Sequence, residues 1–167
     1  GIQIENEYGH VGGLQGPEGE AHIRTLTAMA KEIGFDVPLY TATGWGGACI
    51  GDLLPVMGGY CEAPWDQRTC EIEPNANFVF SHTRNDALIA CDHHVENANS
   101  YNEEDFPFLT AELGGGLQVT MHRRPVAKGC DVGAMSTVKM GSGAGLLGYY
   151  MYHGGSNPKG KLSTLQE

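Results

Sequence analysis

The chain has 167 residues, room for one modest domain with a real core. Its formal charge of -10 argues against nucleic acid and anionic membrane surfaces, whose phosphates need Lys and Arg, and fits a neutral partner such as sugar. No apolar run approaches the length of a membrane span, and five cysteines with no CxxC predict mainly free thiols.

The first element is a strand over Ile2–Glu7, with Ile2 and Ile4 two apart and a Gly-rich loop after it. Glu20–Ile33 reads as a helix whose apolar face is Ile23, Leu26, Ala30 and Ile33, closed by Gly34. Val37–Thr43 is a second strand, ending in Gly44-Trp45-Gly46-Gly47. Leu53–Met57 is a third, followed by Gly58-Gly59-Tyr60-Cys61 read as loop. Asp66–Asn77 reads as loop, Phe78–Cys91 as a region containing a helix, and Asp92–Asp105 as loop. Phe106–Glu112 is a fourth strand, Val132–Met140 a helix and Leu146–Tyr152 a fifth strand. Strands alternating with helices in this way predict a parallel α/β architecture. Gly1 lies inside a strand-like run with no initiator Met, and the chain stops after a loop-like stretch; the pattern is that expected of a piece of a longer protein. The compartment is left open.

Two strands end in Glu, at Glu7 and Glu112. Carboxylates at a strand end are costly to bury unless hydrogen-bonded or chemically employed. At roughly 30 residues per βα unit the two stand three strands apart, which in an eight-stranded barrel faces them across the mouth. Retaining glycoside hydrolysis uses two facing carboxylates about 5–5.5 Å apart, one a neutral acid and one an ionised nucleophile. Both could equally cap the segments that follow them.

The motifs IENEYG, VPLYTATGWGG, APW, PFLTAELGGG and YYMYHGGSN, in this order, resemble glycoside hydrolase family 35, the β-galactosidases, over essentially the whole chain. The resemblance implies a (β/α)8 barrel of which this chain carries strands four to eight, with the first three absent. It implies that Glu7 is the acid/base, Asn6 its neighbour at the sugar 2-hydroxyl and Glu112 the nucleophile. It implies that Tyr150 holds the Glu112 carboxylate and that Trp45 forms a wall of the sugar site. Metal or organic cofactors are not expected. The implied partner is a β-galactoside oligo- or polysaccharide. Leu113-Gly114-Gly115-Gly116-Leu117 departs from the aromatic residues that follow the nucleophile in many members, and Ser156 stands where Thr is usual. Those departures bear on glycone preference and aglycone contacts. Half a barrel is expected to be inactive and aggregation-prone unless it pairs with the missing half or with a second copy.

The remaining polar residues have plainer readings. Glu5 shares strand parity with Glu7 and is expected to point inward as a hydrogen-bonding partner; Tyr8 is expected to pack at the strand end. Glu62 and Trp65 divide between structural and sugar-contacting roles. His82, Cys91, His93 and His94 match no zinc spacing, and Gly114–Gly116 lacks the context of a phosphate loop. His122-Arg123-Arg124 reads as surface. A Cys61–Cys70 bridge is the best disulfide candidate. Rival functions are a non-catalytic or degenerate carbohydrate-binding barrel and a related glycosidase acting on another β-glycoside.

Overall fold

The computed structural model describes residues 1–10, 12–44, 47–61, 68–70, 76–82, 84, 100–114, 124, 126–150, 152–153 and 158–161. Five strands form one wholly parallel sheet: β1 (Ile2–Asn6), β2 (Leu39–Gly44), β3 (Leu54–Tyr60), β4 (Leu109–Gly114) and β5 (Leu146–Tyr149). Their order in space is their order in sequence, β1-β2-β3-β4-β5. Among the described residues two helices flank the sheet, α1 (Gly16–Glu32) between β1 and β2 and α2 (Gly129–Gly141) between β4 and β5. Short 3-10 turns at Ala76–Phe78 and Glu103–Asp105 lie in the long β3–β4 connection. No helix among the described residues is long and apolar enough to cross a membrane.

α1 starts a turn earlier than its apolar spacing predicts. Pro17 lies in the first turn, where a missing N–H costs nothing. Its buried stripe is Gly19, Ile23, Thr27 and Ala30. Leu26 is only half-buried and Ile33 is 72% exposed, so the stripe is rotated from the one expected. The helix ends at Gly34, in the left-handed region at φ 95°, with Phe35 N–H donating to the Ala30 carbonyl at 3.1 Å and Gly34 N–H to Lys31 at 3.0 Å. α2 ends the same way at Gly143, and begins with the Asp131 carboxylate accepting from the Lys128 N–H at 2.7 Å.

Two clusters of the core fall among the described residues. Ile23, Ala30, Leu39, Cys49 and Leu53 pack beneath β1 and β2, joined by Ile2, Ile4 and Tyr8. Cys61, Leu113 and Met135 pack beneath β4, joined by Phe78, Val132 and Leu147. Paired residues of parallel strands share a face. The ladders Glu5–Thr41, Thr41–Pro55, Met57–Thr110 and Gly59–Leu113 therefore carry the α1-facing side of β1 across to the α2-facing side of β4. The opposite face holds Gln3, Asn6, Ala42, Val56, Gly58, Tyr60 and Glu112.

Each ladder contains a register shift. In β1 it falls between Gln3 and Glu5, where one strand gains a residue on its neighbour. The shift reverses side-chain parity and overturns the inward orientation expected for Glu5. Glu5 turns to α1 and meets His22 Nε2 at 3.4 Å, while His22 stacks on Tyr8 with centroids 4.3 Å apart. Tyr8 thus packs at the strand end, as expected.

β3 is longer than its sequence suggests, continuing through Gly58-Gly59-Tyr60. A side chain at Gly59 would press within 2.9 Å of Asn77 Oδ1 and 3.3 Å of Leu113, so the glycine permits close packing rather than ending the strand. The β2–β3 loop is tied to α1 through Glu20, whose carboxylate accepts from Ile50 N–H at 3.2 Å and Gly51 N–H at 2.7 Å. Cys49, Cys61, Cys70 and Cys130 are free thiols, so the Cys61–Cys70 bridge is absent. Cys91 lies outside the described residues, as does most of the helix expected over Phe78–Cys91.

Ile23 is fully enclosed between α1 and Gly51. Ile23→Ala should lower the unfolding free energy by about 2–4 kcal/mol in urea melts. Met29→Ala, on the exposed side of the same helix, should change it by less than about 0.5 kcal/mol.

Candidate active site

The carboxyl groups of Glu7, just past the end of β1, and of Glu112, within β4, lie close enough for the charge of one to raise the other. β1 closes at Asn6, and Glu7 follows in the left-handed region at φ 53°, the one described non-glycine residue there. Such a conformation costs of order 1 kcal/mol or more and persists only where its surroundings enforce it. Here Glu7 N–H donates to the Ala42 carbonyl at 2.8 Å, and the Glu7 carbonyl accepts from His10 N–H at 2.9 Å. The turn aims the Glu7 carboxyl over Gly44, the last residue of β2. A Cβ there would collide with Glu7 Oε1. That oxygen is buried without a hydrogen-bond partner.

Glu112 sits inside β4 rather than at its end. Its neighbour Leu113 is wholly buried on the α2 side, so the Glu112 carboxylate projects from the opposite face. Tyr60 reaches it there. Gly58 pairs with Glu112 and Tyr60 with Gly114, which sets Tyr60 on the same face one step further along. The Tyr60 hydroxyl donates to Glu112 Oε1.

The electrostatics separate the two acids. Burial raises the Glu7 carboxyl to about 7, helped by the negative charge of Glu112. Burial also raises Glu112, but the Tyr60 hydrogen bond pulls it back down. Glu112 thus ionises first, and its charge then helps hold the proton on Glu7. The Tyr60 phenol is pushed well above its ordinary range, first by burial and then by its bond to Glu112, so it stays a donor.

Asn6 lies on the open face, its Oδ1 accepting from Gln3 Nε2 at 3.1 Å. Tyr150 follows β5, with its N–H on the Leu113 carbonyl at 2.8 Å, and its phenol lies near enough to Tyr60 to affect that group's ionisation. The Tyr60 hydroxyl on Glu112 comes from a residue that sequence reasoning passed over. The signal was its alternation with Gly58 at the end of a buried run. Trp45 lies outside the described residues, as do Glu62, Trp65, His93, His94 and Gly115–Leu117. Among the described residues no cluster of His, Cys, Asp and Glu could hold a metal ion.

A protonated carboxyl beside an ionised one, the latter oriented by a phenol, can deliver a proton and a nucleophile to one substrate. No protein-family model, curated protein or solved structure matched the chain.

Two expectations follow. Tyr60→Phe removes the hydrogen bond that lowers Glu112, so the Glu112 carboxyl should titrate at higher pH, visible by 13C NMR of labelled glutamate side chains; an unmoved midpoint would break the assigned role. Glu7 carries a raised native value, so its neutral form favours folding most below 4.5, and that contribution fades as pH rises toward about 7. Glu7→Gln should therefore gain stability relative to the parent across that window, by about 1 kcal/mol once solvent screening of the half-buried group is allowed for. Thermal melts at pH 4 and pH 8 would measure it.

Proposed function

We propose that this chain is the C-terminal part of the catalytic barrel of a retaining β-glycosidase of the family 35 type, acting on terminal β-D-galactosides. The observation that carries the reading is the pairing of Glu7 and Glu112 on the same sheet edge, three strands apart, with Glu7 holding its proton near neutral pH. The five parallel strands in sequential order fit strands four to eight of a (β/α)8 barrel, since doubly wound sheets reverse their order. A closed barrel then requires three more strands between β5 and β1, supplied by the rest of a longer chain or by a second copy.

In the first step a Glu112 carboxylate oxygen attacks the anomeric carbon and forms an ester bond. The glycosidic C–O bond breaks, and the leaving oxygen takes the Glu7 proton. Glu7, now a carboxylate, removes a proton from water. The water oxygen attacks the same carbon, the ester breaks, and Glu112 is restored with net retention. Tyr60 keeps Glu112 ionised and oriented between the steps. Asn6 and Gln3, on the open face beside the acid, are placed to meet sugar hydroxyls. The reaction calls for no metal or organic cofactor.

Glu112→Ala and Glu7→Gln, in the assembled barrel, should each cut hydrolysis of an aryl β-galactoside by at least about 10³-fold. Near-normal activity in either would refute the pair. Azide should restore turnover to Glu112→Gly with an inverted product. A panel of aryl glycosides tests the substrate: turnover of glucosides or mannosides in place of galactosides would move the specificity, and galactose binding without turnover would make the barrel a binding module.

A further inference from the structure

The β3–β4 connection returns to the sheet at Ser100–Phe106, and it does so over the end of β2. The Tyr101 phenol lies 3.3 Å from Thr43 Oγ1. Thr43 is fully buried, and its hydroxyl reaches both the Tyr101 phenol and the Val56 carbonyl, the latter also at 3.3 Å. Ser100 Oγ donates to the Ala48 carbonyl in the β2–β3 loop. Arg84 holds the far side of the segment, donating to the carbonyls of Glu103 and Phe106. The Tyr101 ring packs edge-on against Phe106, with centroids 5.7 Å apart and planes at 90°. Burial raises the Tyr101 phenol to about 12, so it keeps its proton at neutral pH.

Next to Thr43 is Gly44, the residue against which the Glu7 carboxyl rests. Gly44 is itself in the left-handed region at φ 61°, and a Cβ there would collide with Glu7 Oε1. The backbone conformation favours glycine at this position, and a Cβ there would also push the Glu7 carboxyl aside. The charge that raises Glu7 comes from another strand, from Glu112 on β4, and Glu7 in turn raises the Tyr60 phenol on β3. β2 offers Glu7 no charge and no hydrogen bond to Oε1, only a close backbone surface that excludes water.

We propose that Tyr101 and Gly44 are positioning residues for Glu7: the Tyr101–Thr43 hydrogen bond latches the end of β2 and so holds the Gly44 backbone against the Glu7 carboxyl as a dry wall. The assignment rests on the reading of Glu7 as the acid, and it adds a part to that reading. The long β3–β4 connection, remote in sequence from Glu7, sets how well Glu7 keeps its proton. Loosening the latch admits water to Oε1, favours the charged form and weakens the acid's hold on its proton.

The test is a titration read without substrate. Glutamate side chains are labelled with 13C, and the Glu7 carboxyl signal is assigned by its loss in Glu7→Gln. The parent signal should have its midpoint at about 7. Tyr101→Phe keeps the ring against Phe106 and removes only the hydroxyl; its midpoint should fall by roughly half a pH unit or more. Thr43→Val should shift it in the same direction, while Thr43→Ser, which restores the hydroxyl, should keep the parent midpoint. Unmoved midpoints in both Tyr101→Phe and Thr43→Val would overturn the latch. So would an equal shift in Thr43→Ser and Thr43→Val, a comparison that stands even if Tyr101→Phe does not fold. A latch shift with no glycosidase activity in the assembled barrel would sink the enzymatic reading and leave the latch. Activity with an unmoved midpoint would sink the latch alone.

Discussion

One extra residue in β1, between Gln3 and Glu5, governs the rest of the site. Side chains alternate along a strand, so a single-residue shift sends each later side chain to the other face. Before the shift, Ile2 faces α1. After it, Glu5 faces α1 and Asn6 shares the open face with Gln3. Glu7 then takes a left-handed turn that leads its carboxyl over β2. Without the shift, Glu5 rather than Asn6 would occupy the open face, and the hydrophobic cluster under α1 would have to accept an asparagine.

The second constraint is the low polarity around the acids. Neither carboxyl sits beside a described cation. Their different behaviour comes from unequal hydrogen bonding: Glu112 has the Tyr60 phenol, and Glu7 Oε1 has none. Burial raises both, and the Tyr60 hydrogen bond acts against that rise at Glu112. A phenol suits this role, because it stabilises an anion without supplying a charge that would also discharge Glu7.

Much of this was legible in the chain. Apolar runs and helical spacing located the five described strands and α1 and α2: β2 and β3 are buried on both faces and read as short apolar runs, while α1 buries one stripe. The two acids were legible because a carboxylate at a buried strand end needs a reason. What stayed hidden depended on contacts remote in sequence. Gly58-Gly59 looked like a strand breaker, yet Asn77 and Leu113 fill the space a side chain would have taken, and so β3 ran on to Tyr60. Glu5 was misdirected because a bulge leaves no mark on hydrophobic periodicity. The α1 stripe was turned because Gly19, a poor candidate by hydropathy, fits where Cys49 comes close, and because Thr27 is buried with its hydroxyl on the Ile23 carbonyl.

The Glu20 clamp has a consequence for how the domain opens. One side chain on α1 occupies both backbone donors of Ile50 and Gly51. Those amides are released when the Glu20 side chain turns away or α1 lifts, so their hydrogen exchange reports on the contact between α1 and the β2–β3 connection. Gly44 lies a few residues upstream of those amides. Fluctuations of an outer helix are thereby linked to the floor under Glu7, and substitutions on the far side of the sheet can be felt at the acid without touching it.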